Sequence, residues 1–265
     1  TGHVDSWGLG ALDNASGNAC AVELARILAP LASDMRRSVR FVLWSGHSHG
    51  RYAGSTAWCD AHFEELERHC LLNVNSDCLG GRGATVMTES PAMASTRGLA
   101  RTALREAAGV TDWRGCRFSR SCDQSFWGAG VPSIFSQVSE QPPFEGAAAD
   151  AFGKMFGSGR TGGFGAWWHT RTDTPDKLDP ENLARDVRVF ASVLAHALFD
   201  ERLPVDAAAE VLELRDELKA WQEKAGDSLD LSEVLARLDL LAEALKAAAR
   251  SDDPKRFEKR SRTGA

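Results

Sequence analysis

The sequence predicts an α/β fold: a mixed, mostly parallel sheet covered by helices on both faces, with a helical hairpin appended at the C-terminal end. Two observations predict the core. Short apolar runs alternate with longer segments of helical periodicity, the pattern of strand–helix crossovers. The runs are apolar on both of their faces, as buried parallel strands are. A third observation predicts the appendage: after Leu203-Pro204 the composition turns rich in Ala, Leu and Glu.

The elements follow in order. Residues 14–33 read as a helix that Asn14 or Ser16 can cap, with Ala19, Val22, Leu24, Ile27, Leu28 and Leu31 on a broad apolar face. Residues 39–45, Val-Arg-Phe-Val-Leu-Trp-Ser, read as a buried strand that delivers a Gly-rich loop at its C-terminal end. A helix over 55–70 and a strand over 71–77 ending at Asp77 come next, then a helix over 92–108. Val131–Phe135 is a further strand, and the Gly-, Ala- and Pro-rich stretch 140–166 is a long loop over the site. A helix over 180–199 has Pro180 near its start. The helices 205–224 and 230–250 each carry an apolar stripe, and Asp227-Ser228 breaks between them. The expected division is 1–202 as the core, 203–250 as the helical segment and 251–265 as a charged, apolar-poor, disordered tail.

With 265 residues, 43% of them hydrophobic and 26% charged, the chain can bury one large core. A net charge of -6 excludes a dedicated nucleic-acid surface, which needs a clustered basic face. No apolar run is long enough to span a bilayer. The six cysteines show no short zinc-ribbon spacing; Cys116 and Cys122 can close a small loop in an exported protein, and the others read as small buried thiols. The chain begins at Thr1 inside a motif and ends in a basic tail, so it reads as a fragment of a longer protein.

The chemistry is carried by four segments: His3-Val4-Asp5-Ser6, Leu12-Asp13-Asn14-Ala15-Ser16-Gly17, Val74-Asn75-Ser76-Asp77 and Trp168-His169-Thr170. In order and context they resemble the metal-binding segments of the co-catalytic zinc exopeptidases, metallopeptidase family twenty-eight, which holds secreted aminopeptidases, glutamate carboxypeptidase and the transferrin receptor. Two further stretches are similar to the family: Cys122-Asp123-Gln124-Ser125-Phe126-Trp127 with Gly130-Val131-Pro132, and the run from Trp167 through Asp173 to Lys177. The resemblance implies a three-layer α/β/α zinc-peptidase core without its first strands. It also implies that Asp13 bridges two metals, that His3 and Asp77 complete one site, and that His169 contributes to the other. Asp5 would buttress the bridging region, and Asp173 would order the turn that presents His169. Open parallel sheets bring their loops together at the C-terminal strand ends, where such dispersed ligands converge. Imidazole nitrogen and carboxylate oxygen suit zinc, one ion or two, with another divalent metal as the alternative.

The chain departs from the family at one place. The family carries a Glu-Glu pair, general base then metal ligand, where this chain has His47-Ser48 within Ser45-Gly46-His47-Ser48-His49-Gly50-Arg51. A neutral imidazole can serve as a base near pH 7, whereas a hydroxyl is a poor substitute for a carboxylate ligand. His47 is the first candidate for the base and His49 the second, and either can swing in as a nitrogen ligand. Trp127, Trp167 and Trp168 are candidates to line an apolar pocket, and Arg51, Arg120 and Arg171 to hold a substrate carboxylate.

The reading is a metal-dependent hydrolase that cleaves an amide bond of a small peptide or an acylated amino acid. One alternative is an inactive, dimeric binding protein of transferrin-receptor type. The Leu203–Asp206 start and the following helix resemble that branch's dimerisation domain, which makes a homodimer through the C-terminal helices an expectation. Another alternative is a metal-dependent lyase or cyclising transferase on the same fold; the lost Glu argues against one variant of it, the single-zinc glutaminyl cyclases. The resemblance leans toward a secreted or periplasmic location.

Overall fold

The computed structural model describes residues 1–118, 125–143, 146 and 162–250. Four short strands form two parallel pairs: β1 (Gly2–His3) beside β2 (Leu43–Trp44), and β3 (Asn73–Val74) beside β4 (Ser133–Ile134). Backbone hydrogen bonds from Thr1 N to Val74 O (2.6 Å) and from Ser76 N to Thr1 O (2.8 Å) join the pairs, giving the order β2-β1-β3-β4. All four run the same way, so their C-terminal ends share one edge.

The extended runs outlast the ladders. Val39 and Phe41 pack against one hydrophobic cluster, whereas Val42 and Trp44 belong with the other. That period-two alternation is the mark of a strand with both faces covered. On one face lie α1 (Gly17–Leu28), α4 (Arg97–Ala108) and α5 (Pro180–Phe199), whose Leu24, Leu104, Val189 and Phe190 meet Ile134 and Phe135. On the other lie α2 (Ala53–Ala61) and α3 (Phe63–His69), where Cys59 and Leu66 meet Trp44, Phe126 and Val131. The result is the helix–sheet–helix layering that the sequence predicts.

Several boundaries differ from the sequence reading. The helix expected over 14–33 opens as a π-turn at Ala11–Ser16, is α-helical only over Gly17–Leu28, and tightens to a 3-10 turn over Ala29–Asp34, where Pro30 stands near the start. The helix expected over 55–70 is two helices, parted at His62 (φ -119°). The helix over 92–108 begins with a 3-10 turn, Ala94–Thr96. α5 is capped by Asp179, whose Oδ1 accepts from Glu181 N (3.0 Å) and Asn182 N (3.1 Å), with Pro180 in the first turn where no amide hydrogen is needed. Most of 140–166, and all of 251–265, lie outside the described residues. So does Cys122, and with it the Cys116–Cys122 loop.

Two antiparallel helices, α6 (Ala207–Ala225) and α7 (Ser232–Arg250), follow, separated by a 3-10 turn at Gly226–Ser228. α6 docks on the start of α4: Glu210 accepts from Ser95 N (3.1 Å) and Ser95 Oγ (3.0 Å), and Arg97 pairs with Glu213 at 2.5 Å. Among the described residues, no helix is long and apolar enough to cross a membrane.

Candidate metal centre

The C-terminal strand edge collects the polar residues singled out by the sequence. His3 ends β1, His47 lies just past β2, and Asp77 lies just past β3. Asp13 sits in the π-turn that leads into α1 and follows Gly10, whose φ of 66° suits a residue without Cβ.

The motif around Asp13 explains why it faces Asp77. Asn14 Nδ2 donates to Ser76 O (3.0 Å), while its Oδ1 accepts from Gly17 N (3.1 Å) and Cys78 N (3.3 Å). Ser16 Oγ donates to Leu12 O (2.7 Å) and accepts from Leu79 N (2.9 Å). A Cβ at Gly17 would stand 2.2 Å from Ser76 O, so only glycine allows this approach. The two side chains read as helix caps are therefore mainly clamps between the start of α1 and the loop carrying Asp77. Asp173 completes the frame. Its carboxylate accepts from Leu12 N (2.8 Å) and Asp13 N (3.0 Å), so it holds the Asp13 segment from 160 residues away.

At the centre, the two oxygens of Asp13 face different imidazoles. His3 Nε2 lies 3.0 Å from Asp13 Oδ1, and His169 Nε2 lies 2.9 Å from Asp13 Oδ2. His3 Nε2 also lies 3.4 Å from Asp77 Oδ1. His3 Nδ1 donates to the Asp5 carbonyl (2.8 Å), which aims Nε2 at the carboxylates. Burial disfavours a charged His3, but Asp13 and Asp77 outweigh it and push the ring's pKa up to about 10. Burial likewise opposes ionisation of Asp13, and His169 and His3 outweigh it, holding that carboxyl well below the usual range.

This donor set fits a cation. His3 Nε2 and Asp77 Oδ1 are buried without an aligned hydrogen bond to any partner among the described residues, an expensive arrangement unless something charged lies between them. Two donors on one tetrahedral zinc stand roughly 3.4 Å apart, given bond lengths of about 2.0–2.2 Å. The three contacts above fall at or a little under that separation.

The loop after β2 is tied down by Asp5. Its carboxylate accepts from His47 N (2.9 Å), Ser48 N (2.8 Å) and His49 N (3.4 Å), and these amides offset burial and lower its pKa. The resemblance implies that Asp5 buttresses the bridging region; its carbonyl reaches His3, and its side chain holds this loop. Ser48 Oγ turns onto the Asp5 carbonyl at 3.5 Å. The ring of His47 stacks on that of His3, with centroids 3.9 Å apart and planes 1° from parallel. A nitrogen of His47 lies within 4.8 Å of the His3 and Asp77 donor atoms. His49 goes elsewhere: its Nε2 donates to Ser6 O (3.0 Å) and its ring meets Trp7.

Trp168 stacks on His169 at 3.6 Å. Trp127 meets Phe118, and among the described residues no ring contact joins it to the ligand cluster. Arg51 lies over the Tyr52 ring at 4.8 Å, and Arg120 lies outside the described residues. Three residues that the sequence reading passed over stand beside the ligands. Trp7 touches both His49 and His169, Tyr52 is edge-on to His47, and the Cys78 thiol is beside Asp13 and Asp77. Of these only Cys78 carried a signal, its adjacency to Asp77.

The family model of Peptidase family M28 matches residues 1–194. The chain belongs to peptidase family M28. The M28 chain is 34% identical over 79 residues to the probable glutamate carboxypeptidase VP8 of Zea mays, a stretch covering 29% of this chain and 11% of that protein. It is 31% identical over 91 residues to aminopeptidase NAALADL1 of Rattus norvegicus, covering 33% of this chain and 12% of that protein. It superposes on the aminopeptidase of Aneurinibacillus sp. strain AM-1 with a TM-score of 0.56 at 22% identity, over 76% of this chain and 44% of that one. The corresponding match to BSAP, a zinc aminopeptidase from Bacillus subtilis, has a TM-score of 0.57 at 22% identity, over 76% and 45%. At that identity the likeness is one of fold, and the M28 chain spans less than half of either aminopeptidase.

Proposed function

We propose that the protein is a metal-dependent hydrolase that cleaves an amide bond in a small peptide or an acylated amino acid, with zinc as the metal. One observation carries this reading: a single buried carboxylate, Asp13, presents one oxygen to His3 and the other to His169, with Asp77 closing the His3 side. His3, Asp13 and Asp77 would hold one ion, and Asp13 and His169 would contribute to a second. When bound, such an ion polarises a carbonyl and acidifies water.

His47 is the base in this reading. The lone pair of an imidazole lies in its ring plane, and the rings of His3 and His47 are parallel and displaced by stacking. An ion in the plane of His3 therefore lies off the plane of His47, which disfavours both rings as ligands of one ion. A proton acceptor beside the ligands needs no such convergence. Asp5 fixes the backbone amides of His47 and Ser48, so the base is held by the same residue that orients His3. His49, anchored on Ser6 O, supports the loop. Trp168 and Trp7 flank the exposed side of His169 and offer apolar walls to a substrate side chain.

The test is turnover on a panel of dipeptides and acyl amino acids. Activity is expected to disappear with a chelator and to return with zinc. His47→Ala should lower turnover by about 10²–10⁴, the range for a general base, with metal content unchanged. Undiminished turnover would remove His47 from the role. Metal bound without turnover on any substrate would favour the binding-protein alternative, to which Ser48, its hydroxyl turned away onto Asp5, lends support.

A further inference from the structure

We propose that Cys78 is a metal ligand, its thiolate joining Asp13 and Asp77 around an ion. The inference rests on the metal-centre reading above and adds a soft donor to it. In an extended strand, successive side chains point to opposite faces. Asp77 and Cys78 break that rule. Cys78 has φ 52°, a left-handed conformation uncommon for a non-glycine residue, and Asn14 Oδ1 accepts from its amide at 3.3 Å. The turn brings donor atoms of Asp13, Asp77 and Cys78 within 4.8 Å of one another. Cys78 is buried and forms no disulfide.

A buried thiol set against two carboxylates would ordinarily donate a weak S–H hydrogen bond and no more. The independent observation is on the facing side. His3 is 2% exposed, and its Nε2, with no aligned hydrogen bond among the described residues, faces the same Asp13 and Asp77 carboxylates at 3.0 and 3.4 Å. Two donor groups, His3 with His47 and Asp77, and Asp13 with Asp77 and Cys78, thus share Asp77, and sulfur is a donor of the second. As the metal–sulfur bond forms, the thiol proton is released to solvent. Thiolate is a soft ligand, so its presence favours zinc, cobalt or cadmium over magnesium or manganese.

The test uses the whole chain loaded with cobalt(II), with elemental analysis of the same samples. A sulfur-to-cobalt charge-transfer band in the near ultraviolet is expected, and Cys78→Ser should abolish it while cobalt stays bound. Cys78→Ser should also release one proton fewer per ion on loading and lose at least tenfold in preference for zinc over manganese. Cobalt bound without the band, or a band unchanged in Cys78→Ser, would overturn the proposal and leave the metal centre standing. No cobalt in the unsubstituted protein would overturn both. Should Cys78→Ser fail to fold, the cadmium-113 resonance of the unsubstituted, cadmium-loaded chain reads sulfur ligation directly. A position typical of oxygen and nitrogen donors alone would overturn the proposal.

Discussion

The two sides of Asp13 are built differently. On one side, His3 is 2% exposed, oriented by a hydrogen bond to the Asp5 carbonyl and opposed by Asp77. On the other, His169 is 39% exposed, has φ 60°, and is positioned by rings: Trp168 stacked at 3.6 Å and Trp7 at 5.7 Å. Burial and hydrogen bonding fix the first imidazole before any ion arrives, and a preorganised site binds more tightly. The second is open to solvent and flanked by apolar walls. In the proposed metal centre, one carboxylate thus joins a holding side to an access side.

The largest effect is expected at Asp13 itself. Asp13→Ala removes the group common to both sides and should leave a chain that retains no zinc after dialysis, measured by elemental analysis. Zinc kept at the unsubstituted level would mean that the ions are held elsewhere. A smaller effect is expected at Asp5, which serves the holding side through its carbonyl and the His47 loop through its carboxylate. Asp5→Ala leaves the His3 contact to a backbone carbonyl but strips the acceptor from three loop amides. Turnover should fall by about 10–100-fold, as for other groups that orient a metal site, with the tighter ion still bound. A loss of that ion instead would show that the loop, too, belongs to the holding side.

The smallest effect lies outside the site. His196 bridges α5 to α4: hydrogen bonds to Glu106 (3.0 Å) and Asp200 (2.7 Å) raise its pKa. A histidine with a raised folded-state pKa contributes stability that is fully present below its ordinary value and is lost as pH rises through the raised one. The melting temperature at low salt should therefore lose a small increment between neutral and mildly alkaline pH. With His196 half-buried and both partners exposed, the contribution is no more than about 1 kcal/mol. His196→Gln should remove that pH dependence without changing metal content.

The candidate ligands were legible in the sequence because each sits inside a short motif with its own neighbours, and the fold brings His3, Asp13, Asp77 and His169 together. The layering was legible too, because apolar runs alternating with helical periodicity leave few other ways to bury both faces of a sheet. Helix interruptions were less so. The break at His62 falls inside an unbroken helical pattern, and the π and 3-10 turns that open α1 and α4 lie among buried residues that no local pattern marks. The partners of the supporting carboxylates could not be read either. Asp173 reaches Leu12 and Asp13, and Asp5 reaches residues 47–49, across separations that no local pattern encodes. Trp7 and Tyr52 had no motif to mark them, since their significance is only their nearness to His169 and His47.

In the proposed centre, Asp13 joins a tight, buried half-site to a weaker, open one. A competitive zinc titration of the unsubstituted chain beside His3→Ala and His169→Ala tests it most directly. Two binding steps of unequal affinity are expected, with His3→Ala losing the tighter step and His169→Ala losing only the weaker. If His3→Ala keeps the tighter ion, or if His169→Ala loses both, the two sides of Asp13 do not divide the work in this way.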